Sequence, residues 1–175
     1  IVPHLLPKEE VTADTSAVVM LKNVPMQIND TSRPSIANIR ESIRKIQHQY
    51  GSVGAVLVDY LQIMKTTKPF AREDLKIAYF TGELKAMAKE FNCVIVLLSQ
   101  LNRELEKRPN KRPVLSDLRE SGAIEQDADQ IVFLYRDEIY NKESQYRGIA
   151  EAIVGKNRHG EAGTASMHSQ LTYCQ

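Results

Sequence analysis

The sequence predicts an α/β fold, with a mostly parallel twisted sheet flanked by helices and antiparallel strands added near the C-terminus. Three observations carry it. Two short, nearly continuous apolar runs, "GAVLVDYL" (54–61) and "CVIVLLSQ" (93–100), are separated by a long stretch with apolar residues every three or four positions. A similar amphipathic stretch precedes the first run. Two further apolar runs, joined by a polar connection, follow later in the chain. Strands alternating with helices imply βαβ units, right-handed crossovers and a parallel sheet covered on both faces.

The elements follow in order. Residues 1–22 hold Pro3, Pro7 and a polar stretch and form an unassigned leader. "VPMQIND" (24–30) reads as a short strand running into turn residues. Ser35 is suited to cap a helix through Tyr50, whose stripe is Ile36, Ile39, Ile43, Ile46 and Tyr50. A second helix spans about Arg72 to Phe91, with Ile77, Phe80, Leu84, Met87 and Phe91 on one face. "LNRELEKRPNKRPVLSD" (101–117) reads as a long mobile loop. "QIVFLYR" (130–136) and "GIAEAIVGK" (148–156) read as strands added antiparallel to the sheet.

The 175 residues are 42 % hydrophobic and 26 % charged, which suits one globular domain over 1–175 with an ordinary core. A net charge of +1 excludes a global basic field, so nucleic acid would have to be met by local clusters. The cysteines are Cys93, inside an apolar run, and Cys174, a pattern that excludes a disulfide framework and favours a reducing cytoplasm. No stretch reaches the roughly 18 to 20 apolar residues of a membrane span, and no membrane partner is expected. The N-terminus has no signal-peptide pattern, and the missing initiating Met points to an excised segment or a processed product.

In open α/β sheets ligands sit beyond the carboxyl ends of the strands. Two runs end there in polar residues, Asp59 after "AVLV" and Ser99-Gln100 after "VIVLL". A carboxylate at that place suits Mg²⁺, directly or through water, because hard cations take oxygen ligands. A neighbouring Gln could orient a water or sense a phosphate. Each residue alone also fits a turn cap or a solvated side chain. "LRESGAIEQDAD" (118–129) sets Arg119 and Glu120 before Gly122, where a ligand or another backbone could approach closely. "GKNRHGEAG" (155–163) contains Gly-Lys, yet Ala150 and Asn157 break the G-x-x-x-x-G-K-[ST] phosphate loop. Lys156 and Arg158, two apart on an extended chain, would share a face about 6.5 to 7 Å apart. His4, His48, His159 and His168 have no metal-ligand spacing.

Together these stretches resemble the C-terminal ATPase domain of the DnaB-type replicative DNA helicases. "VLVDYLQIM" is similar to that family's Walker B strand and "VIVLLSQLNRELEKR" to its third helicase motif. "RPVLSDLRESGAIEQDADQIVFLYRDEIYN" is similar to the fourth motif and the strand after it, and "GIAEAIVGKNRHGEAGT" to the closing segment. The four motifs occur in order over roughly 24–164.

The resemblance implies a RecA-like fold and a homo-hexameric ring that uses ATP and Mg²⁺ to translocate on single-stranded DNA and unwind duplex. It implies that Asp59 helps hold Mg²⁺ and that Gln100 reads the γ-phosphate. Arg119, Glu120 and Gly122 fall in the DNA-binding loop, and Lys156 and Arg158 match the pair that reaches the neighbouring subunit's nucleotide. Primase and a helicase loader are the partners expected of the full-length family. The departures are the absent Walker A loop and the catalytic Glu after it, the absent N-terminal helical domain, Asn29 in place of the usual Asp, and a tail after Thr164 that follows the family poorly. The 175 residues alone are therefore expected to be inactive. The alternatives are a truncated helicase-like DNA-binding or regulatory module without hydrolysis, and a RecA-type recombination or circadian-clock ATPase.

Overall fold

The computed structural model describes residues 18–20 and 24–169, and for 119–121 the backbone path only. Most of the leader and the tail from 170 onward lie outside the described residues. The chain separates into two compact units, Ile1–Ser32 and Arg33–Gln175.

In the first unit, 24–30 is exposed and belongs to no strand, which corrects the sequence expectation. Pro25 has no N–H to give to a ladder. The Met26 N–H turns back to the Val24 carbonyl at 2.7 Å, and the Asn29 side chain accepts the Thr31 N–H at 2.9 Å. Local bonds of this kind compete with strand pairing.

The second unit begins with helix α1, Ile36–Tyr50. Ser35 Oγ accepts the Asn38 N–H at 3.2 Å while Asn38 Oδ1 accepts the Ser35 N–H at 3.0 Å, a reciprocal cap. Gly51, at φ 84°, closes the other end with its N–H on the Gln47 carbonyl. Ile36, Ile39 and Ile43 are buried, but the stripe stops there. Tyr50 is 54 % exposed, because the last turn runs past the core and leaves its hydroxyl to accept from Gln49.

Helix α2, Glu73–Glu90, is the central packing element. Glu73 and Asp74 in its first turn complement the helix dipole. Ile77, Phe80, Leu84 and Met87 are buried on it, and Phe91 is buried just beyond its end. They join α1, Val58, Leu61, Ile124, Ile131 and Phe133 in one core. Outside the core, α1 and α2 are laced together by Arg40 to Glu83 and by Arg40 and Arg44 to Glu90.

Strands β1, Ala55–Val58, and β2, Val94–Leu97, pair in parallel, with Ala55 opposite Val94 and Val58 opposite Leu97. Strands β3, Gln130–Tyr135, β4, Ile149–Asn157, and β5, Gly163–His168, form an antiparallel sheet in the order β3-β4-β5. Among the described residues the antiparallel strands form a ladder of their own, distinct from the parallel pair. One expectation, a parallel sheet covered on both faces, is corrected here. The parallel strands are covered on one face only: Leu57 is 71 % and Val94 61 % exposed, with no layer above them among the described residues. The run after Thr164 pairs with β4 as β5.

Residues 101–117 are not a structureless loop. Two 3₁₀ segments, Arg103–Lys107 and Leu115–Ser121, shorten the path, and Leu105 is buried. Asp117, itself buried, accepts the Val114 N–H at 2.8 Å and Arg108 Nη2 at 2.9 Å, and Arg108 Nη2 also donates to the Arg112 carbonyl. A short helix α3, Gly122–Asp127, leads directly into β3, and a single turn α4, Asp137–Tyr140, follows it.

Along β3, Ile131, Phe133 and Tyr135 face inward and Val132 and Leu134 outward. Arg112 lies over the Tyr135 ring, 5.3 Å from its centre, and is paired with Glu151 at 2.6 and 3.0 Å. The Tyr135 hydroxyl donates to Asp137 Oδ1 at 2.8 Å. Burial, together with that bond to a carboxylate, pushes the phenol up to about 12 from its ordinary 10.0. A proton held more tightly in the folded state stabilises the fold fully below the unfolded value and is lost between the two. Unfolding midpoints are therefore expected to fall as pH rises from 10 toward 12. Tyr135→Phe should remove that slope while costing about 1 kcal/mol at neutral pH. An alkaline absorbance titration in which Tyr135 ionised together with the exposed tyrosines would contradict this.

Candidate functional site

Asp59 and Gln100 leave adjacent parallel strands at the same end. The Val58 carbonyl accepts the Leu98 N–H at 3.0 Å and the Leu98 carbonyl accepts the Leu61 N–H at 2.9 Å, so the two exits stay joined past the strands. Asp59 is exposed there and has no salt-bridge partner among the described residues. The cost of burying a lone carboxylate is thereby avoided. Gln62, in the 3₁₀ turn Leu61–Ile63, spans both exits: its Nε2 donates to Ser99 Oγ at 3.0 Å and its Oε1 accepts the Gln100 N–H at 3.3 Å. Sequence reasoning missed Gln62, although its place three residues after Asp59 on the same exit was a usable signal.

The donor set suits a magnesium-bound phosphate. Among the described residues no three His, Cys, Asp or Glu side chains converge as a metal cage. Asp59 offers one hard carboxylate at an open strand end, and Mg²⁺ is typically held by one or two carboxylates, its waters and the phosphates.

Arg119 and Glu120 lie at the end of the 3₁₀ segment Leu115–Ser121, and Gly122 opens α3. Gly122 is exposed with open space around its Cα. Ile124, buried, pins the segment to the core.

Lys156 and Arg158 stand at the far end of β4. The register between β3 and β4 shifts between Ile131 and Val132: Lys156 faces Ile131, Val154 faces Val132, and Gly155 is the extra residue of a bulge. This explains the Gly of the Gly-Lys pair. A Cβ on Gly155 would sit 2.6 Å from Phe133 Cε2 and 3.4 Å from Leu115 Cδ2. Beyond the bulge both cations turn to α3. Lys156 Nζ donates to the Glu125 carbonyl, and Arg158 Nη2 donates to the Gln126 carbonyl at 3.0 Å.

Arg158 also donates through Nη1 to Asp129 Oδ1 at 3.1 Å, and its N–H reaches the Asp129 carbonyl at 2.8 Å. The other Asp129 oxygen accepts from Lys85 on α2. A hydrogen bond from Lys85, with Arg158 and His159 nearby, holds the Asp129 carboxyl below the usual carboxylate range against a smaller opposing effect of burial. One turn earlier on α2, Thr81 Oγ1 donates to Asp127 Oδ2 at 2.5 Å. Thr81, Lys85, Asp127 and Asp129 were not legible as partners, because 44 or more residues separate each pair.

The structure thus brings Asp59 to Gln100, and Lys156 to Arg158 beside the segment that carries Arg119, Glu120 and Gly122. No hydrogen bond or ion pair among the described residues joins the first group to the second.

The sequence profile of the DnaB-like helicase C terminal domain family matches residues 3–175. The chain belongs to that family. It is 46 % identical over 149 residues to the replicative DNA helicase DnaB of Buchnera aphidicola subsp. Acyrthosiphon pisum, covering 85 % of this chain and 32 % of that protein. It is 39 % identical over 154 residues to the DnaB of Geobacillus stearothermophilus, covering 87 % and 34 %. The chain spans about a third of the length of these curated relatives. Among solved structures it is similar to one described as an ATPase domain, with a TM-score of 0.89 at 38 % identity over 94 % of this chain and 58 % of that one. A DnaB-like replicative helicase solved with attention to its interactions with primase gives 0.90 at 38 % identity over 95 % and 41 %. The fold of this DnaB C-terminal segment is accordingly RecA-like α/β.

The bulge yields a stability prediction. Phe133 is 4 % exposed, so its ring has little room to yield to a new methyl. Gly155→Ala is expected to cost about 1 to 3 kcal/mol in urea unfolding, through overpacking. An unchanged midpoint would mean that the ring moves freely.

Proposed function

We propose that this chain is the C-terminal part of the motor domain of a homo-hexameric replicative DNA helicase, which couples ATP hydrolysis to translocation on single-stranded DNA and duplex unwinding in the cytoplasm. The observation that carries it is the pairing of Asp59 and Gln100 at adjacent strand exits, with a separate pair of cations, Lys156 and Arg158, on the far end of β4. Among the described residues no helix is long and apolar enough to cross a membrane.

In this reading Asp59 holds Mg²⁺ at the phosphates, through water or directly, and the ion neutralises charge on the transferred group. Gln100, its backbone held by Gln62, presents an amide to the γ-phosphate or to the attacking water. Arg119 pairs with a DNA phosphate, while Glu120 and Gly122 shape the backbone of that loop. Lys156 and Arg158 act on the nucleotide of the neighbouring subunit. Arg158 is 46 % exposed and keeps guanidinium donors beyond those given to Asp129 and Gln126, so it can take a phosphate in the planar, two-pronged manner that Lys cannot. One of the structural relatives is described with primase. Primase and a loader are the proposed partners of the whole protein.

The reading makes two predictions for a full-length DnaB polypeptide carrying this segment. Arg119→Ala should weaken binding to single-stranded DNA and flatten its salt dependence by about one counterion, with nucleotide affinity unchanged. Anisotropy titrations at several salt concentrations measure this, and identical slopes would remove Arg119 from the interface. Arg158→Ala should preserve ring assembly and nucleotide binding but lower hydrolysis by about 10³-fold, the low end for a finger supplied across an interface. Mixing Arg158→Ala subunits with subunits whose phosphate loop is disabled should restore part of the ATPase, because some interfaces then hold both intact halves. Mixed rings that form but stay inactive would rule out action across the interface.

A further inference from the structure

The guanidinium of Arg158 is not loose at the end of its strand. It is gripped from two directions, by the Asp129 carboxylate at 3.1 Å and by the Gln126 carbonyl at 3.0 Å, while its own N–H holds the Asp129 carbonyl at 2.8 Å. Asp129 in turn cannot swing freely, because its second oxygen is taken by Lys85. Lys85 stands on α2, which buries Phe80, Leu84 and Met87 in the core. Thr81, four residues before it and on the same helix face, ties down Asp127 at 2.5 Å. Two bonds from the best-packed helix thus fix the 127–129 segment, and that segment fixes Arg158.

We propose that Asp129, anchored by Lys85, is a positioning residue that sets the direction of the Arg158 guanidinium toward the neighbouring subunit's nucleotide. The proposal rests on the role given to Arg158 above. An arginine reaching across an interface acts on a phosphoryl group only when held in place, and long side chains carry considerable rotamer entropy. A carboxylate on one edge of the fork removes much of that freedom before the nucleotide arrives and leaves the other donors for phosphate. Lys85 keeps the carboxylate's second oxygen occupied, so that Asp129 presents one edge to Arg158 and does not rotate away. The Gln126 carbonyl adds a second point of attachment that carries no net charge.

The test uses the full-length DnaB ring carrying this segment, with ATPase kinetics on single-stranded DNA. Asp129→Asn keeps the size and a carbonyl oxygen but loses the charge. It is expected to lower kcat about tenfold with KM for ATP within about twofold, as for a misplaced group that acts in the transition state. Asp129→Glu should recover part of the loss. Lys85→Met should shift kcat in the same direction by a smaller factor. In an Arg158→Ala background Asp129→Asn should add nothing, since there is no longer a guanidinium to aim. A kcat that stays at the wild-type value, or a loss that multiplies onto Arg158→Ala, would overturn the proposal. If Asp129→Asn subunits fail to assemble, Lys85→Met decides by the same kcat and KM comparison, and wild-type kcat there overturns it too. Arg158→Ala run alongside separates the two claims. Normal hydrolysis by Arg158→Ala itself defeats the role of Arg158, whereas an inactive Arg158→Ala beside a fully active Asp129→Asn defeats only the positioning.

Discussion

The burial of one face of α2 is the constraint around which the Arg33–Gln175 unit is arranged. Phe80, Leu84 and Met87 are each nearly free of solvent contact and meet α1, the parallel strands and the inner face of β3 in a single core. Fully burying side chains of this size is worth about 1.5 to 3 kcal/mol apiece. That is enough to fix the rotation of α2 about its own axis. Once the rotation is set, Thr81 and Lys85 necessarily present themselves to Asp127 and Asp129. The clamp on Arg158 is therefore a consequence of core packing rather than an independent surface feature.

The same constraint separates the two functional groups. Asp59 and Gln100 are carried by the short parallel pair, whose exits are stitched by the Val58, Leu98 and Leu61 backbone and by Gln62. Lys156 and Arg158 are carried by an antiparallel ladder whose inner face packs on the same core. In the proposed reading, a nucleotide held at the first group belongs to this subunit and the cations at the second serve another, a division that suits a ring in which every site is made by two copies.

Beside Lys156 and Arg158 stands α3. It continues from the 119–122 segment, is pinned by Ile124, and offers its last carbonyls to Lys156 and Arg158. Cations at a helix C-terminus are favourable for dipolar reasons as well as for hydrogen bonding. The proposed DNA loop and the proposed finger therefore share one short helix, and a displacement of that helix would be felt at both ends. The bulge at Gly155 makes the arrangement possible, since without the extra residue β4 would deliver Lys156 to the opposite face.

The local pattern of the sequence determined a good deal. The Ser35 cap of α1, the periods of α1 and α2, the two parallel strands and the antiparallel pair 130–136 and 148–156 were all legible, because propensity and apolar spacing act over a few residues. So was the belonging of Asp59 and Gln100 to strand exits, which follows from where an apolar run stops. Other features required the tertiary structure. The exposed apolar face of Leu57 and Val94, the exposure of Tyr50 and the ordering of 101–117 depend on which layers are present around a segment. The Gly155 bulge depends on the ring of Phe133, twenty-two residues away. The network of Lys85, Asp129 and Arg158 joins side chains 44 and 29 residues apart, and their meeting was decided by the rotation of α2 in the core. Pairing over such distances leaves no periodic mark in a single sequence, because the residues between are free to vary as long as the core closes.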